Sequence, residues 1–212
     1  MYSKEEIYKL TNVDLNHPTV ICTYHPVTLE GEESVIWQIK NLLKALSEFD
    51  IQVVFTRPNV EVGSDKIVEI VKDFVNKNDK MYFFNSLGSK LYLSFLKYVK
   101  AVVGNSSSGI IEAPSFHTPT VNIGNRQEGR FKPESVIQVD YSVNDISKGL
   151  KKALFDKEFL NKIKQIKNPY GDGKAIEYMM QALKKISKIP KEKLLKKKLN
   201  FEVKKDEWHR YF

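Results

Sequence analysis

Residues 101–123 read AVVGNSSSGIIEAPSFHTPTVNI, and the order of events within them decides the fold. A short β-branched run ends at Gly104. A polar turn with three serines follows, a helix starts near Ser108, and a second β-branched run begins at Thr120. Short apolar runs bounded by turn signals read as strands buried on both faces. Two neighbouring strands joined through a helix must run parallel, since only a crossover returns the chain to the same end of a sheet.

The same rhythm extends outward in both directions. Further runs stand at 19–24 (TVICTY), 51–56 (IQVVFT), Met81–Phe84 (MYFF) and Val136–Val139 (VIQV). Between the first two, Ile36, Ile39, Leu42, Leu43 and Leu46 recur at helical spacing, and Ile67, Ile70, Val71 and Phe74 do so before the third. Helices are also expected around 91–98, over Val143–Phe155 and over 172–186. The pattern is a doubly wound, Rossmann-like α/β sheet, which binds ligands in the crevice at the carboxyl ends of its strands. Residues 1–18 read as a linker into the first strand, 19–189 as the domain, and 190–212 as a basic tail without assigned structure.

Composition narrows the function. The 212 residues are 42% hydrophobic, enough for one sizeable core. No apolar run reaches the ~20 residues of a membrane span, and the start MYSKEEIYKL lacks a secretory apolar stretch. One cysteine, Cys22, excludes an internal disulfide framework, and the chain is read as cytoplasmic. Four scattered histidines show no metal-ligand spacing, so neither a metal nor another cofactor is expected. The net charge of +8 is concentrated in residues 184–212, which hold eleven of the 34 Lys and Arg and four of the 26 Asp and Glu. The nearly neutral body argues against nucleic acid as a partner.

The strand-end loops hold the chemistry. In Asn105, Ser106, Ser107, Ser108 and Gly109, hydroxyls and the unpaired N–H groups of a helix start form a candidate phosphate cradle, although one serine before a helix is often only a cap. Gly109 is expected to let a ligand approach the backbone. Glu112 suits either the helix dipole or a ribose diol. Arg126 and Arg130, in GNRQEGR, suit bidentate contact with a diphosphate or a surface ion pair. His25, at the end of the first strand, is a candidate acid or phosphate donor, or a structural histidine.

Taken together, 103–116 (VGNSSSGIIEAPSF) and 124–130 (GNRQEGR) resemble the signature of hydrolysing UDP-N-acetylglucosamine 2-epimerases of the sialic acid type. The stretches 23–30 (TYHPVTLE), 57–64 (RPNVEVGS), 86–97 (SLGSKLYLSFLK) and 168–175 (NPYGDGKA) are similar to other motifs of that family, in the same order. Pro26 and the Ser106-Ser107-Ser108 run match the hydrolysing branch rather than the non-hydrolysing one. The resemblance implies the C-terminal half of a glycosyltransferase-B-like architecture with UDP-N-acetylglucosamine or UDP as ligand. Ser106, Ser107 and the backbone near Ser108 and Gly109 would hold phosphates, Glu112 the ribose, Arg130 and His25 the leaving diphosphate. Asn59 would line the cleft and the uracil would sit near Ser86. The implied reaction eliminates UDP and adds water to the resulting glycal, giving N-acetylmannosamine. The family's catalytic carboxylates belong to an N-terminal domain. Because Met1 falls at what resembles the interdomain linker, this chain is expected to be inactive alone: it reads as a truncated product, as the partner of a separate N-terminal chain, or as no longer catalytic, and a separate N-terminal chain or a homo-oligomer is its expected assembly. A donor-binding half of a glycosyltransferase, a non-catalytic UDP-binding module and a related diacetamido sugar are the competing readings.

Overall fold

The computed structural model describes residues 1–27 and 31–195. Elements follow in the order α1 (Lys4–Thr11), β1 (Thr19–Thr23), α2 (Glu32–Ser47), β2 (Gln52–Thr56), α3 (Ser64–Val75), β3 (Met81–Phe84), α4 (Gly88–Leu96), β4 (Ala101–Gly104) and α5 (Ser108–Ile111). A 3₁₀ turn (Ala113–Phe116), β5 (Thr120–Ile123), β6 (Val136–Val139), α6 (Val143–Phe155), α7 (Lys157–Ile163), α8 (Ala175–Ile186) and α9 (Lys191–Leu194) complete them. Two compact units divide the chain, 1–170 and 171–212, so the division falls inside the 19–189 expected as one domain.

The first unit is one six-stranded sheet, all parallel, in the order β3-β2-β1-β4-β5-β6. The order reverses between β1 and β4, which defines the switch-point crevice. β1 is central and buried at every position. Its alternate residues feed two cores, as the pleat requires. Val20 and Cys22 pack with Val53, Phe55 and Val103 against Ile39, Leu42 and Leu46 of α2, Ile67 of α3 and Ile146 and Leu150 of α6. Ile21 packs on the other face with Val54, Val102, and Phe95 and Leu96 of α4.

The segment before β1 is more than a connection. Ser3 and Glu6 form a reciprocal capping box, and Asn12 ends α1 in the left-handed region at φ 61°. Ile7, Val13 and Leu15 are buried and join the core of the α4 face. Ser94 Oγ also accepts the Tyr2 N–H at 2.8 Å.

In the second unit, α8 carries Ile176, Met179, Met180 and Leu183 at exposed positions, and Asp172 accepts a hydrogen bond from the Tyr178 hydroxyl. The Lys-rich stretch 196–212, with Trp208, lies outside the described residues. No helix among the described residues is long and apolar enough to cross a membrane.

Whether residues 1–18 belong to the core is measurable. Ile7→Ala is expected to destabilise the protein by about 2–5 kcal/mol, the cost of emptying a closed apolar site. A shift in the urea midpoint worth less than about 0.5 kcal/mol, as at a surface position, would return the segment to linker status.

Candidate functional site

A cavity of about 420 Å³ opens at the carboxyl ends of the central strands. Thr23 and His25 come from the end of β1, Thr56, Arg57 and Asn59 from the end of β2, and Tyr92 from α4. Ser106 and Ser107 follow β4, and Arg126, Gln127 and Arg130 follow β5.

Close approach of β1 and β4 sets its floor. At Gly104, φ is +124°, and a Cβ would lie 2.0 Å from the Thr23 carbonyl oxygen, so no other residue fits. The next residue, Asn105, is fully buried. Its Oδ1 accepts the His25 N–H at 2.7 Å, and its Nδ2 donates to the His25 carbonyl at 2.8 Å. Both ends of the carboxamide are therefore engaged with the backbone of His25. The Asn105 carbonyl accepts from Gln127 Nε2 at 2.8 Å and from Arg126 Nη1 at 3.3 Å. One asparagine thus ties three strand-end loops together.

The His25 ring has a defined state. The Asn59 N–H donates to its Nδ1 at 3.1 Å, which makes Nδ1 an acceptor and leaves the ring proton on Nε2. Burial, reinforced by the Arg126 cation and partly opposed by Glu61, pushes its pKa down to about 4. His25 is a neutral hydrogen-bond donor at neutral pH rather than a reservoir of positive charge. The positive charge comes from three arginines. Arg57 Nη2 donates to Asp65 at 2.9 Å, a carboxylate that is 91% exposed. Arg126 Nη2 lies 3.4 Å from Glu61. Arg130 has no ion pair among the described residues.

The structure brings His25, Asn59, Ser106, Ser107, Arg126 and Arg130 to one cavity, with Asn105 bonded to the His25 backbone, while Ser86, Ser108, Gly109 and Glu112 are not among the lining residues. Ser108 Oγ is buried and lies at the Tyr92 hydroxyl, whose pKa the charge of Glu112 helps to raise. Burial holds that phenol protonated, with its pKa raised to about 12. Gly109 faces β5, where an added Cβ would lie 2.5 Å from Thr120 Cγ2. Its small size serves helix–strand packing. Ser86 is exposed on the loop after β3 and accepts the Gly88 N–H at 3.1 Å. Arg57, Tyr92, Gln127 and Glu61 are additions to the residues legible in sequence. The strand-end rule could have found Arg57, whereas nothing in the pattern LYLSFL separates Tyr92 from an ordinary helix face.

Fold and site together define a doubly wound domain with an arginine-lined crevice at its switch point. Residues 1–184 match the family model of UDP-N-acetylglucosamine 2-epimerase, and the chain belongs to that family. It is 40% identical over 159 residues to GDP/UDP-N,N'-diacetylbacillosamine 2-epimerase (hydrolyzing) of Campylobacter jejuni, covering 74% of this chain and 40% of that protein. It is 35% identical over 164 residues to UDP-N,N'-diacetylbacillosamine 2-epimerase (hydrolyzing) of Legionella pneumophila, covering 77% and 41%. The matched part therefore spans about two-fifths of these relatives. Among solved structures, the S. aureus MnaA–UDP co-structure superposes with TM-score 0.69 at 19% identity, covering 95% of this chain and 52% of that one. That likeness shows the shared fold.

The state of His25 has a thermodynamic signature. Its folded pKa near 4 lies below the ordinary 6.5, so between those values the unfolded chain binds a proton that the folded one does not. The stability is complete above pH 6.5 and falls as pH drops toward 4. Relative to His25→Gln, which lacks this linkage, the wild type is expected to lose about 2 kcal/mol from pH 7 to pH 4.5, allowing for residual solvent screening. A difference that does not change with pH would mean that the ring charges freely in the fold.

Proposed function

We propose that this chain supplies the UDP-binding domain of a hydrolysing UDP-sugar 2-epimerase, and that the switch-point cavity holds the diphosphate. The observation that carries the reading is the lining itself: three arginines, a neutral imidazole and two serines converge, with no carboxylate among the lining residues. That is an environment for an anion, in a chain whose family handles UDP-sugars.

In this reading each group has a role. Ser106 and Ser107 offer hydroxyls to phosphate oxygens, while Arg126 and Arg130 offer guanidinium forks. The Nε2–H of His25, aimed by Asn59, donates to the bridging or terminal oxygens of the leaving diphosphate. Asn59 lines the sugar side. Glu112 takes the ribose hydroxyls, and the uracil lies toward the loop that carries Ser86. Asn105 acts at one remove by holding the His25 backbone. In the reaction, the C2 proton and the bond from C1 to UDP are lost together, and water then adds to the glycal. Fixed donors at the diphosphate stabilise the negative charge that grows as that bond breaks.

The base for the C2 proton belongs, in this reading, to a further domain that completes the cleft. The sugar carries a 2-acetamido group. UDP-N-acetylglucosamine is the first candidate, and the names of the Campylobacter and Legionella relatives favour an N,N'-diacetyl sugar as the second. We place the reaction in the cytoplasm, in keeping with a single buried free thiol at Cys22.

Calorimetry tests the site. The chain is expected to bind UDP one-to-one and uridine at least about tenfold more weakly, as loss of charged contacts to phosphate implies. Arg130→Ala is expected to bring UDP close to uridine. Equal affinities for UDP and uridine would remove the phosphate from this cavity.

Turnover tests the division of labour. The purified chain is expected to release no UDP from UDP-N-acetylglucosamine in a coupled assay, while an intact family member does. Sustained turnover by the chain alone would show that it contains its own base for the C2 proton.

A further inference from the structure

Glu61 lies beside the cavity and has no part in the roles above. It sits in the loop between β2 and α3, flanked by Val60 and Val62, which are 92% and 88% exposed. The two valines point to water, and the carboxylate between them points inward to Arg126, with its side chain only 26% exposed. Apolar packing does not hold the tip of this loop. Its fixed points are polar: the Ser64 N–H to the Glu61 carbonyl at 3.0 Å, the Asn59 N–H to His25, and the ion pair itself.

The pair has the geometry of a displaceable contact. Arg126 Nη2 stands 3.4 Å from Glu61 Oε1, and Nη1 stands 3.3 Å from the Asn105 carbonyl. Charge-assisted bonds of full strength are ~2.7–2.9 Å long. Arg126 is therefore oriented by two long contacts that leave most of its five donors uncommitted. Arg57 differs, because its 2.9 Å partner Asp65 is exposed and screened by water. Glu61 is the carboxylate that opposes an incoming anion from a site largely shut off from solvent.

We propose that Glu61 stands in for a phosphate in the empty cavity, holding Arg126 in place and giving it up when a diphosphate binds. The proposal rests on the reading that this cavity takes a nucleoside diphosphate. The carboxylate does two things. It keeps the guanidinium aimed at the cavity when no ligand is present. It also competes for Arg126 with the bound diphosphate from a fixed position, which loosens the complex and favours release of UDP after the chemistry. An anion that cannot replace the Glu61 contact, such as a single phosphate, gains less on entering. Glu61 thereby selects for diphosphate over monophosphate.

The experiment is a double-mutant cycle on the 212-residue chain, with UDP, UMP and inorganic diphosphate as probes in calorimetry at fixed salt. Glu61→Gln keeps the shape and removes the charge. It is expected to tighten UDP binding by about five- to thirty-fold and to narrow the preference for UDP over UMP. In an Arg126→Gln background the same change is expected to matter less than about twofold. Asp65→Asn, which frees an exposed partner, is expected to shift UDP affinity less than about twofold. Unchanged or weaker UDP binding by Glu61→Gln overturns the proposal. An equal gain with and without Arg126 also overturns it, since general repulsion would then be the cause. If neither UDP nor inorganic diphosphate binds the wild type or any variant, the diphosphate cavity itself is wrong, and this inference falls with it.

Discussion

The site depends on one buried carboxamide. Asn105 spans the gap at which the strand order reverses and satisfies both the N–H and the carbonyl of His25, 80 residues away in the chain. A parallel sheet leaves its switch point open because the chains on either side depart in opposite directions. Backbone groups at that opening have no ladder partner, and burial without one would be costly. Asn105 meets the requirement from the neighbouring strand. Gly104 allows it, since a side chain there would collide with Thr23. Once the His25 backbone is fixed, Asn59 can fix its ring. The Asn105 carbonyl then collects Gln127 and Arg126. The cavity inherits its shape from this chain of hydrogen bonds more than from the helix that follows β4.

That helix, α5, has only four residues, too few to develop a full macrodipole. The positive potential comes mainly from side chains, and each side chain is restrained in its own way. The His25 ring stays uncharged because it is buried beside Arg126. A second cation there would repel the first, whereas a neutral donor adds hydrogen bonding without that cost. The arginines stand at graded distance from counter-charge, from Asp65 in water, through the half-shielded Glu61, to Arg130 with none among the described residues.

The sequence showed the strands clearly because parallel strands are buried on both faces and read as unbroken β-branched runs. All six lie within one residue of their expected bounds. α1 was hidden because its helix is short and its buried residues, Ile7, Val13 and Leu15, straddle the helix end. α7 was hidden behind the longer amphipathic signal of α6. Gly109 was visible as a special position, but for another reason, since its tight neighbour Thr120 is eleven residues on and belongs to a different strand. Glu61 carries no local signal at all. Its partner lies 65 residues away, and a carboxylate between two valines reads as an ordinary loop residue. Strand-end position tells which loops converge, but not which side chains in them are already committed to one another.

The commitments also bound the chemistry. In the proposed reaction, removing the proton from C2, next to the carbon that bears the departing oxygen, needs a base that is uncommitted and aimed at the sugar. The lining offers arginines, hydroxyls, amides and a phenol held protonated. Its imidazole has an Nδ1 that already accepts from Asn59, so only a proton to give remains on the other side. Of the carboxylates outside the lining, Glu61 and Asp65 each face an arginine, and Glu112 is given to the ribose in the proposed reading. The charged and titratable groups that line this cavity are therefore suited to receive negative charge, and none of them is poised to take a proton from carbon. A reaction that breaks both bonds in one elimination can be divided in this way, because departure of the leaving group and loss of the proton occur at different atoms of the sugar. In the proposed reading, the carboxyl end of this sheet serves the first of these two events.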